Sequence, residues 1–424
     1  STPYQNFLAA KAPWHLAMDR SRPTGPNSRL CIIGIDPWWV NRIRGVISKL
    51  FWSPRIPSDT LDQGQCCHSC RDTGQGPQYP TMNLARQLFA ALLLTLGLPL
   101  PALSSAPNIV LLIADDQAWT DHGFMGHRQV RTPNLDQLAA RGLLFTRAYV
   151  PTALCRPSLA SLMTGLYPHQ HRITGNKVVQ AVPQVRQPAA EAQLAESFSS
   201  LPRLAALLGA ADYRSFQAGK WWEGDFSHGG FSDGMAGDSG VDIGRKTLQP
   251  LYDFIDGSDE QPFLLWYAPY LPHFPHNPPE RLLANYRQPG IHPELAKYYA
   301  MIEWTDETIG ALVAHIRRRG LADNTLFVYL ADNGWIQPTA PVKNLPWYFG
   351  APRGKGSPYE GGVRTPLILN WPGRIASGVV TDPVSSLDLA PTLLRLAGQP
   401  VPAGMLGLDL LDSAARAARN AVFG

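Results

Sequence analysis

Cysteine is scarce, five in 424 residues. That is too few for a disulfide scaffold, and a chain of this length buries enough apolar surface to need none. Charge is thin as well: charged residues make up 17% and the net charge is +4, with no long Lys/Arg block. Nucleic acid is therefore excluded as the expected partner. The apolar stretch Leu88–Leu98 has 11 residues, well short of the roughly 20 that cross a bilayer as a helix, so no stable membrane anchor is expected. The glycines around Lys355 lack the GK[ST] ending of a phosphate loop. A hydrophobic fraction of 45% rules out a disordered or fibrous chain. What is left is a large globular protein with material for one large domain or two to three ordinary ones.

Residues 1–81 carry Trp14, Trp38, Trp39 and Trp52 but no sustained hydrophobic period. Four of the five cysteines lie there: Cys31, Cys66, Cys67 and Cys70. Cys67-His68-Ser69-Cys70 offers half a zinc site, and no second ligand pair follows at usable spacing. The segment reads as upstream sequence, non-native or disordered. From Met82 the pattern changes to a short basic start (Arg86), the apolar stretch, and small residues at Ala102, Ser104 and Ala106. Pro99 and Pro101 count against a core helix, and residues 82–106 read as a secretory signal. The expected product is periplasmic or secreted, begins near Ser105 or Pro107, and keeps one cysteine, Cys155.

Beyond Pro107 the chain reads as α/β. Asn108–Ala114 (NIVLLIA) is a continuous apolar run that ends in Asp115-Asp116, and Thr325–Ala331 (TLFVYLA) is another that ends in Asp332-Asn333-Gly334. Such runs suit strands buried on both faces, and helical spacing over Ile309–Arg319 just before the second suits a parallel sheet. In such sheets ligands sit beyond the carboxyl ends of the strands. Three carboxylates and an amide gathered there repel one another unless a cation intervenes, and an all-oxygen set selects a hard ion, Ca²⁺ or Mg²⁺. Either pair taken alone also suits a cap or a turn.

Cys155 opens Cys-Arg-Pro-Ser-Leu-Ala-Ser-Leu-Met-Thr-Gly165. Pro157 suits the first turn of a helix, Ser158–Met163 continue it and Gly165 ends it. The thiol then stands at a helix N-terminus, where anions bind and a lowered thiol pKa is expected. His169 and His171 are expected to shape the following loop. Lys220, Lys355 and His273 read, by default, as surface or turn residues, and Glu360 as holding backbone or a nearby cation.

With these elements in order, the chain from Pro107 to about Gly398 resembles the sulfatase family of the alkaline-phosphatase-like superfamily. The resemblance is carried by PNIVLLIADD, Thr132–Tyr149, CRPSLASLMTGLYPHQH, AGKWW (Ala218–Trp222), APYLPHFP (Ala268–Pro275), LADNTLFVYLADNG, Gly354–Ile368 and Ser385–Gly398. It implies a doubly wound, mostly parallel sheet flanked by helices, and a catalytic domain over 107–412. Residues 413–424 would then begin a C-terminal subdomain that is largely missing. The implied activity is sulfate ester hydrolysis. Cys155, oxidised by a formylglycine-generating enzyme, becomes formylglycine, whose hydrated aldehyde attacks sulfur. Asp115, Asp116, Asp332 and Asn333 match the Ca²⁺ ligands, joined by the modified Cys155. Lys220 and Lys355 match the sulfate-binding lysines, and His273 matches the histidine near the leaving group. The implied substrate is a sulfated small molecule or carbohydrate.

Two positions depart from the family. Leu159 replaces the arginine of C-x-P-S-R, and Trp222 replaces the histidine of GKWH; Arg156, Glu223 and His228 are the neighbours expected to compensate. Two other readings stay open. One is a phosphodiesterase or phosphonate monoester hydrolase on the same scaffold, and the other is an inactive sulfatase-like protein that binds glycans.

Overall fold

The computed structural model describes residues 106–177, 187–235, 240–258, 261–335 and 353–424. The segment 1–81, and the secretory signal apart from Ala106, lie outside the described residues. Nine strands form one mixed sheet: β1 (Asn108–Ala114), β2 (Leu143–Tyr149), β3 (Arg214–Gly219), β4 (Asp233–Gly234), β5 (Phe263–Ala268), β6 (Thr325–Ala331), β7 (Arg364–Asn370), β8 (Gly378–Val380) and β9 (Val384–Ser385). Their spatial order is β4-β3-β5-β1-β6-β7-β2-β8, with β9 beside β2. β3, β5, β1 and β6 are mutually parallel, and β7 runs antiparallel to both β6 and β2. The doubly wound, mostly parallel sheet expected from the sequence is present, with one strand reversed in its middle.

The apolar runs explain the layers. Every residue of β1 and β6 is buried, and alternate side chains leave opposite faces of the pleat. Ile109, Leu111 and Ile113 join Leu162, Met163, Leu204 and Leu389 on one face. Val110, Leu112 and Ala114 join Leu138, Phe254, Ile309 and Leu312 on the other. Helices Cys155–Thr164 and Leu389–Leu396 thus cover one side, and Pro133–Ala140, Gln249–Asp256 and Pro293–Arg318 the other. Near the end of the described residues Arg419 Nη2 donates over 2.8 Å to Oδ1 of Asp388, the residue just before helix Leu389–Leu396. Among the described residues no helix is long and apolar enough to cross a membrane.

Strand sense decides what meets at the edge. The β1–β6 register runs from Asn108 opposite Thr325 to Ala114 opposite Ala331, so the two strands end level and Asp115 and Asp332 emerge side by side. β3 and β5 end at the same edge and deliver Lys220 and the loop carrying His273. β2, antiparallel to β7 and so parallel to β6, ends there too and leads into the Cys155 helix. Because β7 is reversed, the segment before it, with Lys355, reaches that edge.

Close approach forces glycine at one of these exits. Gly219 has φ +94°, and a Cβ there meets Ala268 O at 2.0 Å. Gly290 has φ +91° with open space around it. G290A is expected to cost about 1–2 kcal/mol from backbone strain alone, and G219A about 1–3 kcal/mol more from overpacking, as read from urea unfolding midpoints.

A second expectation concerns pH. His171 Nε2 lies 2.9 Å from Ser161 Oγ while Nδ1 accepts from Ile173 N, and burial pushes its pKa down to about 4. In the unfolded chain the ring takes a proton at about 6.5. This side chain's contribution is therefore whole above pH 6.5 and is lost as pH falls towards 4, by about 3 kcal/mol at most. H171Q should flatten the acid limb of a stability–pH curve.

Candidate active site

Asp115, Asp116, Asp332 and Cys155 each present one ligand atom within 4.8 Å of the others, and all four are buried. The backbone of Asp116 is left-handed, φ 59°, a strained conformation for a non-glycine residue. It turns the chain so that its N–H donates to Asp332 Oδ1 at 3.1 Å and its carboxylate faces the cluster. Asn333 Nδ2 donates to Asp116 Oδ1 over 2.7 Å and to Gly334 O over 2.9 Å, which leaves its carbonyl oxygen free. Cys155 Sγ lies 3.9 Å from Asp115 Oδ1 and 3.6 Å from Asp116 Oδ1. Ser158, one turn along the same helix, donates to Asp332 O at 2.5 Å and so ties the cysteine helix to the β6 exit.

Both lysines point inward. Lys220, a surface residue only by default and a site lysine by the resemblance, is 2% exposed; its ammonium donates to Asp115 Oδ1 and lies 3.4 Å from Asp332 Oδ2. Lys355 Nζ sits 2.5 Å from Asp116 Oδ1 and 2.8 Å from Cys155 Sγ. Burial pushes the Asp115 carboxyl well up, against the pull of Lys220, and Asp332 and Asp116 push the same way. Burial also pushes Asp116 up, but Lys355, Lys220 and His273 together outweigh it and hold its carboxyl low. Lys220 is raised because Asp115 and Asp332 overcome the cost of burial.

The thiol departs from expectation. A helix N-terminus alone would lower its pKa, yet burial and then the charges of Asp332 and Asp115 push the Cys155 thiol far up. Burial, joined by three carboxylates at this range, outweighs a dipole of about half a charge.

Three buried oxygens here have no hydrogen-bond partner: Asp115 Oδ2, Asp116 Oδ2 and Asn333 Oδ1. Each such orphan costs about 1–3 kcal/mol, more when charged. Orphaned oxygens on converging carboxylates and an amide are the donor set of a hard divalent cation. With all three carboxylates ionised, as a bound cation would hold them, they and two ammoniums leave one net negative charge, and a divalent ion makes it one positive. The residues fit such an ion.

His273 is part-exposed on the loop after β5, its Nε2 3.4 Å from Asp116 Oδ2, within ion-pair range though not hydrogen-bonded. Burial lowers its pKa while Asp116 pulls the other way. Sequence reading missed the brace beneath this loop. Arg245 donates to Tyr270 O at 2.6 Å, His273 O at 3.2 Å and Asn277 Oδ1 at 2.5 Å. No motif announces Arg245, because its partners are 25–32 residues away.

At the departures, Leu159 is buried in the core, and Trp222 lays its ring 4.9 Å from Lys220 Nζ. Of the expected compensating neighbours, Arg156 is held by Glu223 and Glu191, and His228 pairs with Asp225. Glu360 does hold a cation, with Arg364 Nη1 at 2.7 Å, and accepts from Tyr149 OH.

A parallel sheet with an acid cluster, two lysines and a cysteine at one edge has the alkaline-phosphatase-like architecture. Residues 107–399 match the Sulfatase family model. The chain is 33% identical to Arylsulfatase A of Homo sapiens over 377 residues, 76% of this chain and 70% of that protein. It is 29% identical to N-acetylgalactosamine-6-sulfatase of Rattus norvegicus, over 78% of this chain and 70% of that one. Among solved structures, Ps i-CgsB in complex with k-i-k-neocarrahexaose superimposes with a TM-score of 0.58 at 29% identity, covering 72% of this chain and 75% of that one. The chain belongs to the sulfatase family, and its reaction is the hydrolysis of sulfate esters.

Whether this donor set takes Ca²⁺ is testable without turnover. Ca²⁺ at 100 times its Kd should stabilise the fold by about 2.7 kcal/mol, seen as a rise in the thermal midpoint. D332A should abolish that increment, and EDTA should reverse it in the unaltered chain.

Proposed function

We propose that this protein is an exported, calcium-dependent sulfatase that uses formylglycine derived from Cys155, and that its substrate is a sulfated small molecule or carbohydrate. The observation that carries this reading is the meeting of Asp115, Asp116, Asp332 and Cys155 within 4.8 Å, with both lysines on the same carboxylates. In this reading Ca²⁺ held by Asp115, Asp116, Asp332 and Asn333, together with the modified Cys155, supplies Lewis-acid polarisation of the sulfate oxygens, and the formylglycine supplies the oxygen nucleophile. Export through residues 82–106 and maturation by a formylglycine-generating enzyme complete the proposal, with 107–412 as the catalytic domain and 413–424 as the start of a smaller subdomain.

This chain's own side chains do the rest. Lys220 and Lys355 set two ammoniums beside the cluster, where they bind sulfate oxygens and neutralise charge that grows as the ester S–O bond breaks. His273 is open to solvent on one side and stands where it can pass a proton to the departing alcohol oxygen; burial lowers its pKa, so its imidazolium is a stronger acid though a less populated one. The balance is ester and water to alcohol and sulfate, with one proton released. The burial that raises the thiol's pKa keeps unmodified Cys155 protonated, so the thiol itself is a poor nucleophile. Conversion is the step on which activity turns.

The test combines peptide mass and turnover. Protein from a host with the maturation system should show Cys155 converted and should cleave an aryl sulfate faster than the matched phosphate ester. K355A should lower kcat by about 10²–10³-fold, and C155A should abolish turnover. Unmodified Cys155 with no cleavage would overturn the proposal. Faster phosphate cleavage would move it to the phosphodiesterase reading, and calcium-dependent glycan binding with no turnover after confirmed conversion would make it an inactive binding protein.

A further inference from the structure

Arg156 follows Cys155 in the first turn of its helix, and a cation there opposes the helix dipole. It is nevertheless one of the largest fully buried side chains in the molecule. Its Nε and Nη2 donate to Glu223 Oε1 and Oε2 at 2.8 and 3.0 Å, and its Nη1 to Glu191 Oε2 at 2.8 Å. The Arg156 and Glu223 side chains are 1% and 3% exposed. A buried ion pair of this kind adds little net stability over a well-packed apolar pair, but its bidentate fork fixes distance and angle together.

Both ends of the fork carry site residues. Arg156 is bonded to Cys155, and Glu223 lies three residues after Lys220. The Glu223 end is held from the core side as well. Trp266 Nε1 donates to Lys220 O at 3.3 Å, Trp221 Nε1 donates to Glu223 O at 3.2 Å, and the two indoles meet edge to face. On the helix side, Arg156 N donates to Asn176 Oδ1 at 3.1 Å. The fork therefore joins two anchored segments 67 residues apart in the chain, in a protein whose Leu159 offers no polar side chain to the cysteine.

We infer that Arg156 and Glu223 are positioning residues, whose bidentate pair sets the nucleophile-bearing helix against the Lys220 segment. This rests on the reading of Cys155 as the converted nucleophile. A misplacement of the order of 1 Å between reacting groups can cost about 10²-fold, and the pair acts on placement rather than on substrate binding.

E223Q tests it best, because Glu223 lies outside the segment around Cys155 that a maturing enzyme reads. In full-length protein matched for Cys155 conversion by peptide mass, E223Q should lower kcat on an aryl sulfate at least about ten-fold. KM should stay within about two-fold and the pH profile should be unmoved. E223D should restore part of the rate. R156Q/E223Q removes both buried charges of the fork, leaves only the part-exposed Glu191 without the guanidinium, and should stay slow; it carries the test if E223Q fails to fold. Wild-type kcat in converted E223Q, or recovery of the rate in the double variant, overturns the inference while the sulfatase reading stands. A converted wild-type protein without turnover removes both.

Discussion

Three carboxylates buried at one sheet edge repel one another, and the rest of the site follows from how that repulsion is answered. Asp115, Asp116 and Asp332 lie where water cannot screen them. Lys220 and Lys355 reach inward from different strand ends and remove most of the charge. The oxygens they leave unmatched fit the donor set of a hard cation. Burial and then the same field act on the thiol, and both push the pKa of Cys155 up.

The sheet gathers these charges. β3, β5, β1 and β6 are neighbours of one sense, so three of the gaps between them need only register to bring Lys220, the His273 loop, the Asp pair and Asp332-Asn333 into line. Lys355 arrives by the opposite route, ahead of a reversed strand. Gly334 N bonds to Gly362 O at 2.9 Å, and a Cβ on Gly334 would meet Gly361 O at 1.7 Å. The loop bearing Asn333 and the turn leading into β7 are thereby seated directly on each other, backbone to backbone.

Local signals were legible in the sequence. β1 and β6 have the bounds of their apolar runs: covered on both faces, they carry apolar side chains along most of their length, and the polar residues that open them, Asn108 and Thr325, are paired with each other. The cysteine helix starts at Cys155 and closes on Gly165, whose left-handed backbone is the conformation glycine tolerates. Long-range facts were not legible. The reversal of β7 depends on which neighbours it pairs with, and TPLILN reads the same in either direction. The Arg156–Glu223 fork and the Arg245 brace join residues with no common motif. The inward turn of Lys220 and the raised thiol pKa are properties of assembled charge, which no single segment carries.

The cysteine helix has a consequence for timing. All ten of its residues are buried, and Cys155 itself is 1% exposed. If Cys155 is converted as proposed, the enzyme that converts it has to meet the thiol before the helix docks and before Lys355, 200 residues further on, closes over the sulfur.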